Sequence, residues 1–93
     1  MDATASRKVP DGKLVQVRVR YDERIESCAL RGDFFLEPPE ALEALEAAVE
    51  GAPADATPAD LTARVARVDA TLVGFDAADV ARVVRDAVDA SDT

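Results

Sequence analysis

From Lys13 to Tyr21 apolar and polar side chains alternate. Val15, Val17, Val19 and Tyr21 fall on one side, and Leu14, Gln16, Arg18 and Arg20 on the other. Period two with β-branched residues predicts a half-buried strand over about 13–21. Asp11-Gly12 ahead of it is turn chemistry. After Asp22-Glu23 a second extended run covers about 24–31, so the two form an antiparallel hairpin without the usual Asn-Gly or Asp-Gly turn. Ile25, Cys28 and Leu30 are not strictly alternate, and one bulge near Ser27 brings all three to the same face. Gly32-Asp33 ends the run, and Phe34-Phe35-Leu36 is a dense apolar cluster.

The period then lengthens. Pro38-Pro39 opens a helix, since a first turn tolerates proline. Its stripe is Leu42, Leu45 and Val49, while Glu43, Glu46 and Glu50 face water, and Gly51 stops it. Thr57-Pro58-Ala59-Asp60 is an N-terminal cap for a second helix to about residue 69, with Leu61, Val65 and Val68 inward. Leu72-Val73-Gly74-Phe75 is an extended connector packed on the core. A last helix begins at Asp76-Ala77-Ala78-Asp79 and buries Val80, Val83, Val84, Ala87 and Val88. The expected fold is α+β: a small antiparallel sheet, its hairpin at about 13–31, packed against three helices. One domain spans 7–90, with 1–6 and 91–93 as flexible tails.

Composition narrows the chemistry. The 93 residues include one cysteine and no histidine or tryptophan, which excludes a histidine triad, a metal site of several His and Cys ligands, and an internal disulfide. No apolar run approaches the roughly 18 residues of a membrane span, and the first residues hold no apolar signal core, so a cytoplasmic setting is expected. The net charge of −8 opposes binding to nucleic acid or anionic membranes. That charge is uneven. Residues 1–36 carry seven basic and six acidic side chains, and the rest carry four and thirteen. Arg18 and Arg20 on the outward side of the first strand, with Arg31 nearby, make a basic face on an acidic protein; it holds an anion or an acidic partner, or is plain solvated charge. Aspartate outnumbers glutamate twelve to seven and arginine outnumbers lysine nine to two, a balance suited to a salt-rich cytosol, which points to a halophilic source.

Catalytic groups are hard to find. Cys28, in register with Ile25 and Leu30, is expected to be buried and inert rather than a nucleophile. Asp22-Glu23 and the glutamates of the first helix do not form a dyad of separated pKa values. Gly12-Lys13 lacks the spacing of a phosphate loop, and a strand follows it. Gly32-Asp33-Phe34-Phe35 stands out. Glycine permits close backbone approach, and aspartate can accept from free main-chain N–H groups. Two successive phenylalanines cannot both enter one core from a regular strand. Either one of them faces a groove or partner, or a corner lets both pack on the helices.

Lys8-Val9-Pro10-Asp11-Gly12-Lys13-Leu14, an alternating strand, Arg24-Ile25 and then Gly32-Asp33-Phe34-Phe35 before Pro38-Pro39-Glu40 resemble the C-terminal domain of lipoate–protein ligases. The likeness is to "K-x-P-x-G-K-L", a hairpin, and "G-D-F-F" before an acidic, leucine-bearing helix. It covers about 7–50 well, and Leu72-Val73-Gly74-Phe75 plus a helix resembles the family's ending. Nearly the whole chain is one such domain, as in the free-standing accessory chain of a split, archaeal-type ligase.

The resemblance implies a non-catalytic accessory subunit. A separate catalytic chain would bind lipoate and ATP/Mg, form lipoyl-adenylate, and pass the lipoyl group to a lysine of an acyl-carrier protein of a 2-oxoacid dehydrogenase or glycine-cleavage system. It implies no cofactor on this chain alone. Lys8, Gly12, Lys13, Gly32, Asp33, Phe34 and Phe35 match the motif and would form or brace the surface meeting the catalytic chain. The family's small domain resembles sulfur-acceptor and iron–sulfur scaffold proteins in fold, so an alternative is a scaffold or sulfur acceptor. Another is an interaction module for some other enzyme.

Overall fold

A computed structural model describes residues 1–9 and 13–91. Five strands and three helices run in the order β1 (Asp2–Lys8), β2 (Leu14–Tyr21), β3 (Ile25–Gly32), β4 (Phe35–Glu37), α1 (Ala41–Val49), α2 (Pro58–Ala66), β5 (Thr71–Val73) and α3 (Ala77–Ser91). The fold is α+β, as the pattern predicts. β1, β2 and β3 form an antiparallel sheet in that order, and β4 pairs antiparallel with β5 in a small ribbon.

The β2–β3 hairpin matches the alternation closely. Val15, Val17, Val19 and Tyr21 are buried, and Gln16, Arg18 and Arg20 are exposed. Arg20 lies opposite Ser27 and Tyr21 opposite Ile25, so Glu26 is the extra residue of a bulge. That extra residue puts Ile25, Cys28 and Leu30 together in the core. α3 covers the inner side of β1 and β2, α1 covers β3, and α2 packs against α3. Val80, Val83, Val84 and Ala87 of α3 are fully buried in one core with Val15 and Val19 of β2.

Several expectations need correction. Residues 1–6, expected as a tail, belong to an edge strand. Asp2 to Lys8 pair with Arg20 to Leu14, and Ala3 is buried. The segment has few β-formers, but its alternate alanines fit between sheet and α3, and tertiary pairing overrides weak propensity. The helix expected to open at Pro38-Pro39 begins at Ala41. The two prolines form a turn, in which Pro38 and Pro39 carbonyls accept from Ala41 and Leu42 amides at 2.9 and 3.2 Å. The residue before a proline is disfavoured in the helical region, which delays the start. The connector at 71–73 is a strand, pairing Phe35 with Val73, Leu36 with Leu72 and Glu37 with Thr71.

Glu46 and Glu50 do not simply face water. Their Oε2 atoms accept from the main-chain N–H of Leu30 at 2.8 Å and of Cys28 at 3.1 Å. Both amides point away from β2, so α1 closes this edge of the sheet with carboxylates in place of another strand.

The remaining helix signals hold. Thr57 Oγ1 accepts from the Asp60 amide at 3.1 Å, with Pro58 in the first turn, although α2 ends at Ala66 rather than near 69. At α3, Asp76 Oδ1 accepts from the Asp79 amide and Asp79 Oδ2 from the Asp76 amide, both at 2.9 Å, a reciprocal capping box made with aspartates. Among the described residues no helix is long and apolar enough to cross a membrane.

Candidate functional site

The motif residues converge where β1, β2, β3 and the β4–β5 ribbon meet. Gly32 ends β3, and the chain must turn there against the start of β2. A Cβ on Gly32 would lie 2.0 Å from the Leu14 carbonyl oxygen and 2.7 Å from the Phe34 ring, so only glycine fits. Asp33 then locks the junction. Its Oδ1 accepts from the Leu14 N–H at 2.6 Å, and its own N–H donates to the Leu14 carbonyl at 3.3 Å. The Leu14 amide foremost, then the Asp33 amide and the charges of Lys13 and Lys8, hold its carboxyl below the ordinary carboxylate value.

With the junction fixed, the two phenylalanines part. Phe34 turns inward, half-buried, its ring centroid 4.3 Å from that of Phe75 at a tilt of 43°. Phe35, one residue on in β4, is 68% exposed. Its cross-strand partner Val73 is exposed too. The Lys13 ammonium stands 5.9 Å from the Phe35 ring centroid, within cation–π range. The Lys13 stem passes close over Gly74, whose φ of +87° and lack of a side chain suit the turn out of β5. Phe35, Val73 and Lys13 thus make an amphipathic patch on a ribbon held from below by Phe34, Leu36 and Leu72.

Of the sequence-expected residues, Lys13, Gly32, Asp33, Phe34 and Phe35 come together here in two roles. Gly32, Asp33 and Phe34 brace, whereas Phe35 and Lys13 present. Lys8 is exposed at the end of β1, paired with Leu14, so it borders the same junction. Gly12 lies outside the described residues. Val73, Gly74 and the Leu14 main chain are not among the site residues expected from sequence, where Leu72-Val73-Gly74-Phe75 is read as a connector. The turn glycine after Leu72-Val73 was the available signal, but the β4–β5 register that sets Val73 beside Phe35 is a long-range pairing.

Arg18, Arg20 and Arg31 lie on the opposite, uncovered face of the three-stranded sheet. Arg31 pairs in register with Gln16, Arg18 with Ala29, and Arg20 with Ser27. Thr4, Ser6, Gln16 and Ala29 leave a shallow depression beside Arg18 and Arg31. Arg20 Nε reaches Asp2 Oδ1 at 3.2 Å, an exposed pair of small energetic weight.

Cys28 is 6% exposed on the inner face. Burial foremost, then the neighbouring Glu46 and Glu50 carboxylates, push its thiol up to about 12. A nucleophile or sulfur carrier needs the reverse, an accessible thiolate. The chain's one cysteine is a core residue.

No family model matches this sequence, and no curated protein does. Among solved structures, one chain from an archaeal lipoylation system, a bi-partite lipoate protein ligase and its E2 lipoyl domain from Thermoplasma acidophilum, superposes with a TM-score of 0.75 at 21% identity, over 91% of this chain and 96% of that one. The sheet, ribbon and three helices described here are therefore a fold shared with a component of that archaeal system.

Proposed function

We propose that this chain is the non-catalytic accessory subunit of a lipoate–protein ligase, supporting ATP-dependent activation of lipoate by a separate catalytic chain. The observation that carries the reading is Phe35: an exposed aromatic, carried on a paired ribbon, at the position where the sequence resembles the ligase small domain. The fold shared with the Thermoplasma system supports it. A few anchors carry most of an interface's energy, and aromatic side chains are enriched there. The Phe35–Val73–Lys13 patch is the surface that meets the catalytic chain. The arginine face of the sheet steers encounter with acidic surfaces, a rate effect more than an affinity effect. Lipoate, ATP and Mg belong to the catalytic partner, and lipoyl acyl-carrier proteins are reached through it.

An accessory chain of this kind acts by differential binding. It raises activation only as far as it binds the adenylation-competent state of its partner better than the resting state. A twofold shift needs about 0.4 kcal/mol of preference, and a switch from mostly inactive to mostly active about 5 kcal/mol. Only the part of the Phe35 contact made better in the competent state counts towards that preference.

The test is lipoate-dependent ATP–pyrophosphate exchange. The chain alone is expected to show none, and adding it to the catalytic chain is expected to restore exchange, with Phe35→Ala and Asp33→Ala weakening the effect. Robust exchange by the isolated chain would falsify the accessory role. The buried Cys28 gives a scaffold or sulfur-acceptor role no accessible thiol.

A further inference from the structure

Among the described residues, β1 is an edge strand with nothing paired on its outer side. The main-chain pairing shows which groups are free. Met1 and Tyr21 exchange hydrogen bonds of 2.6 and 2.8 Å, and the Val9 N–H donates to the Lys13 carbonyl at 2.9 Å, so the odd residues of β1 face β2. The N–H and C=O groups of Asp2, Thr4, Ser6 and Lys8 therefore point outward. Among the described residues nothing receives them. The other edge of the sheet is treated differently, because Glu46 and Glu50 occupy the outward amides of β3. Within β1 there is no bulge and no proline, the side chains at Ala3, Thr4, Ala5 and Ser6 are small, and the charged residues Asp2, Arg7 and Lys8 stand towards its two ends.

We propose that β1 pairs antiparallel with β1 of a second copy, about a twofold axis at Ala5, to make one continuous six-stranded sheet. The register follows from parity and charge. Outward residues must meet outward residues, which allows Asp2 opposite the partner's Lys8 and Thr4 opposite the partner's Ser6, each repeated by symmetry and each exchanging two main-chain hydrogen bonds. Two opposite-charge pairs and two hydroxyl pairs result, both favourable across strands. Sliding by two residues either way removes a hydrogen-bonded pair and both charge pairs. On the covered face Ala5 meets Ala5, which leaves room for the two α3 helices. The interface is isologous and closes at two copies, so it does not propagate into fibres. The basic faces of both sheets, with Arg18, Arg20 and Arg31, merge into one surface of doubled extent. None of this depends on the ligase reading.

The experiment is sedimentation equilibrium on the purified chain over a wide concentration range, at low salt, paired with amide hydrogen exchange. The expected result is a monomer–dimer equilibrium, with the Thr4 and Ser6 amides slowing as the dimer fills. Asp2→Lys and Lys8→Asp each turn both attractive pairs repulsive, and each is expected to raise the dimer Kd by about tenfold or more. An equimolar mixture of the two variants restores opposite charges and is expected to dimerise like the wild type. Ser6→Pro deletes an outward N–H without touching the β2 pairing, and is expected to abolish the dimer while leaving the far-ultraviolet circular dichroism unchanged. A chain that stays monomeric at millimolar concentration overturns the proposal. So does a dimer whose Kd ignores the charge variants, or an edge protected only when a different protein is added.

Discussion

Asp33 holds Leu14 from both sides, its carboxylate taking the Leu14 N–H at 2.6 Å while its own N–H reaches the Leu14 carbonyl at 3.3 Å. This double contact sews the end of β3 to the start of β2 and sets the direction in which Phe34 and Phe35 leave the sheet. A carboxylate is well suited to the task, since it accepts without needing a proton of its own.

That contact predicts an acid-sensitive junction. The Asp33 carboxyl is held below its ordinary value of 3.8, so the folded state favours the ionised form. Its stabilisation is complete above the unfolded value and is lost as pH falls through the folded one. Asp2, lowered by its Arg20 hydrogen bond and charge, adds in the same direction. Asp33→Asn retains an acceptor for Leu14 but removes the charge. Its stability measured by urea unfolding is expected to fall less steeply than wild type below pH 4, whereas Asp33→Ala is expected to be less stable at neutral pH as well.

The two phenylalanines should separate stability from binding. Phe34→Ala loses a half-buried ring packed on Phe75, and a cost of about 2–3 kcal/mol is expected, below that of a fully buried phenylalanine. Phe35→Ala is expected to leave stability within about 0.5 kcal/mol, as for most surface changes. On the proposed accessory role it should instead weaken association with a catalytic ligase chain by about 2 kcal/mol, roughly thirtyfold in Kd by calorimetry. Equal effects of both variants on both measurements would contradict this division.

The glutamates of α1 give a third test. Glu46→Ala leaves the Leu30 amide without its acceptor, and a loss of about 1–2 kcal/mol is expected. Glu46→Gln keeps an acceptor and should lose less. Glu43, on the exposed side of the same helix, is the control, and Glu43→Ala should be close to neutral.

Cys28 should be sluggish in the folded protein. With its thiol pushed up to about 12, alkylation at pH 8 is expected to be slower than in denaturant by on the order of a thousandfold, which a thiol reagent followed by mass spectrometry measures. Rapid native labelling, or iron or persulfide lost in Cys28→Ser, would instead favour the sulfur-handling role.

The surface charge bears on salt. The excess of exposed aspartate and glutamate repels itself at low ionic strength, and screening relieves that repulsion. We propose adaptation to a saline cytosol. The melting temperature is expected to rise from low to molar KCl, and a flat or falling trend would count against it.

Local periodicity carried much of this molecule. The alternation of Val15, Val17, Val19 and Tyr21, the bulge before Cys28, the Thr57 cap and the valine stripe of α3 are set by neighbours within a few residues, so they are legible along the chain. The Gly32–Phe35 cluster was visible as unusual, and its chemistry suggested both a close approach and a carboxylate taking main-chain amides. Which phenylalanine turns outward was not legible, because it depends on a clamp between residues 33 and 14 and on pairing between 35 and 73. β1 was missed for the same reason: its alanines become core only beneath α3, nearly the length of the chain away. Steric and hydrogen-bonding preferences of adjacent residues write themselves into sequence order, whereas exposure and edges are created when distant segments meet.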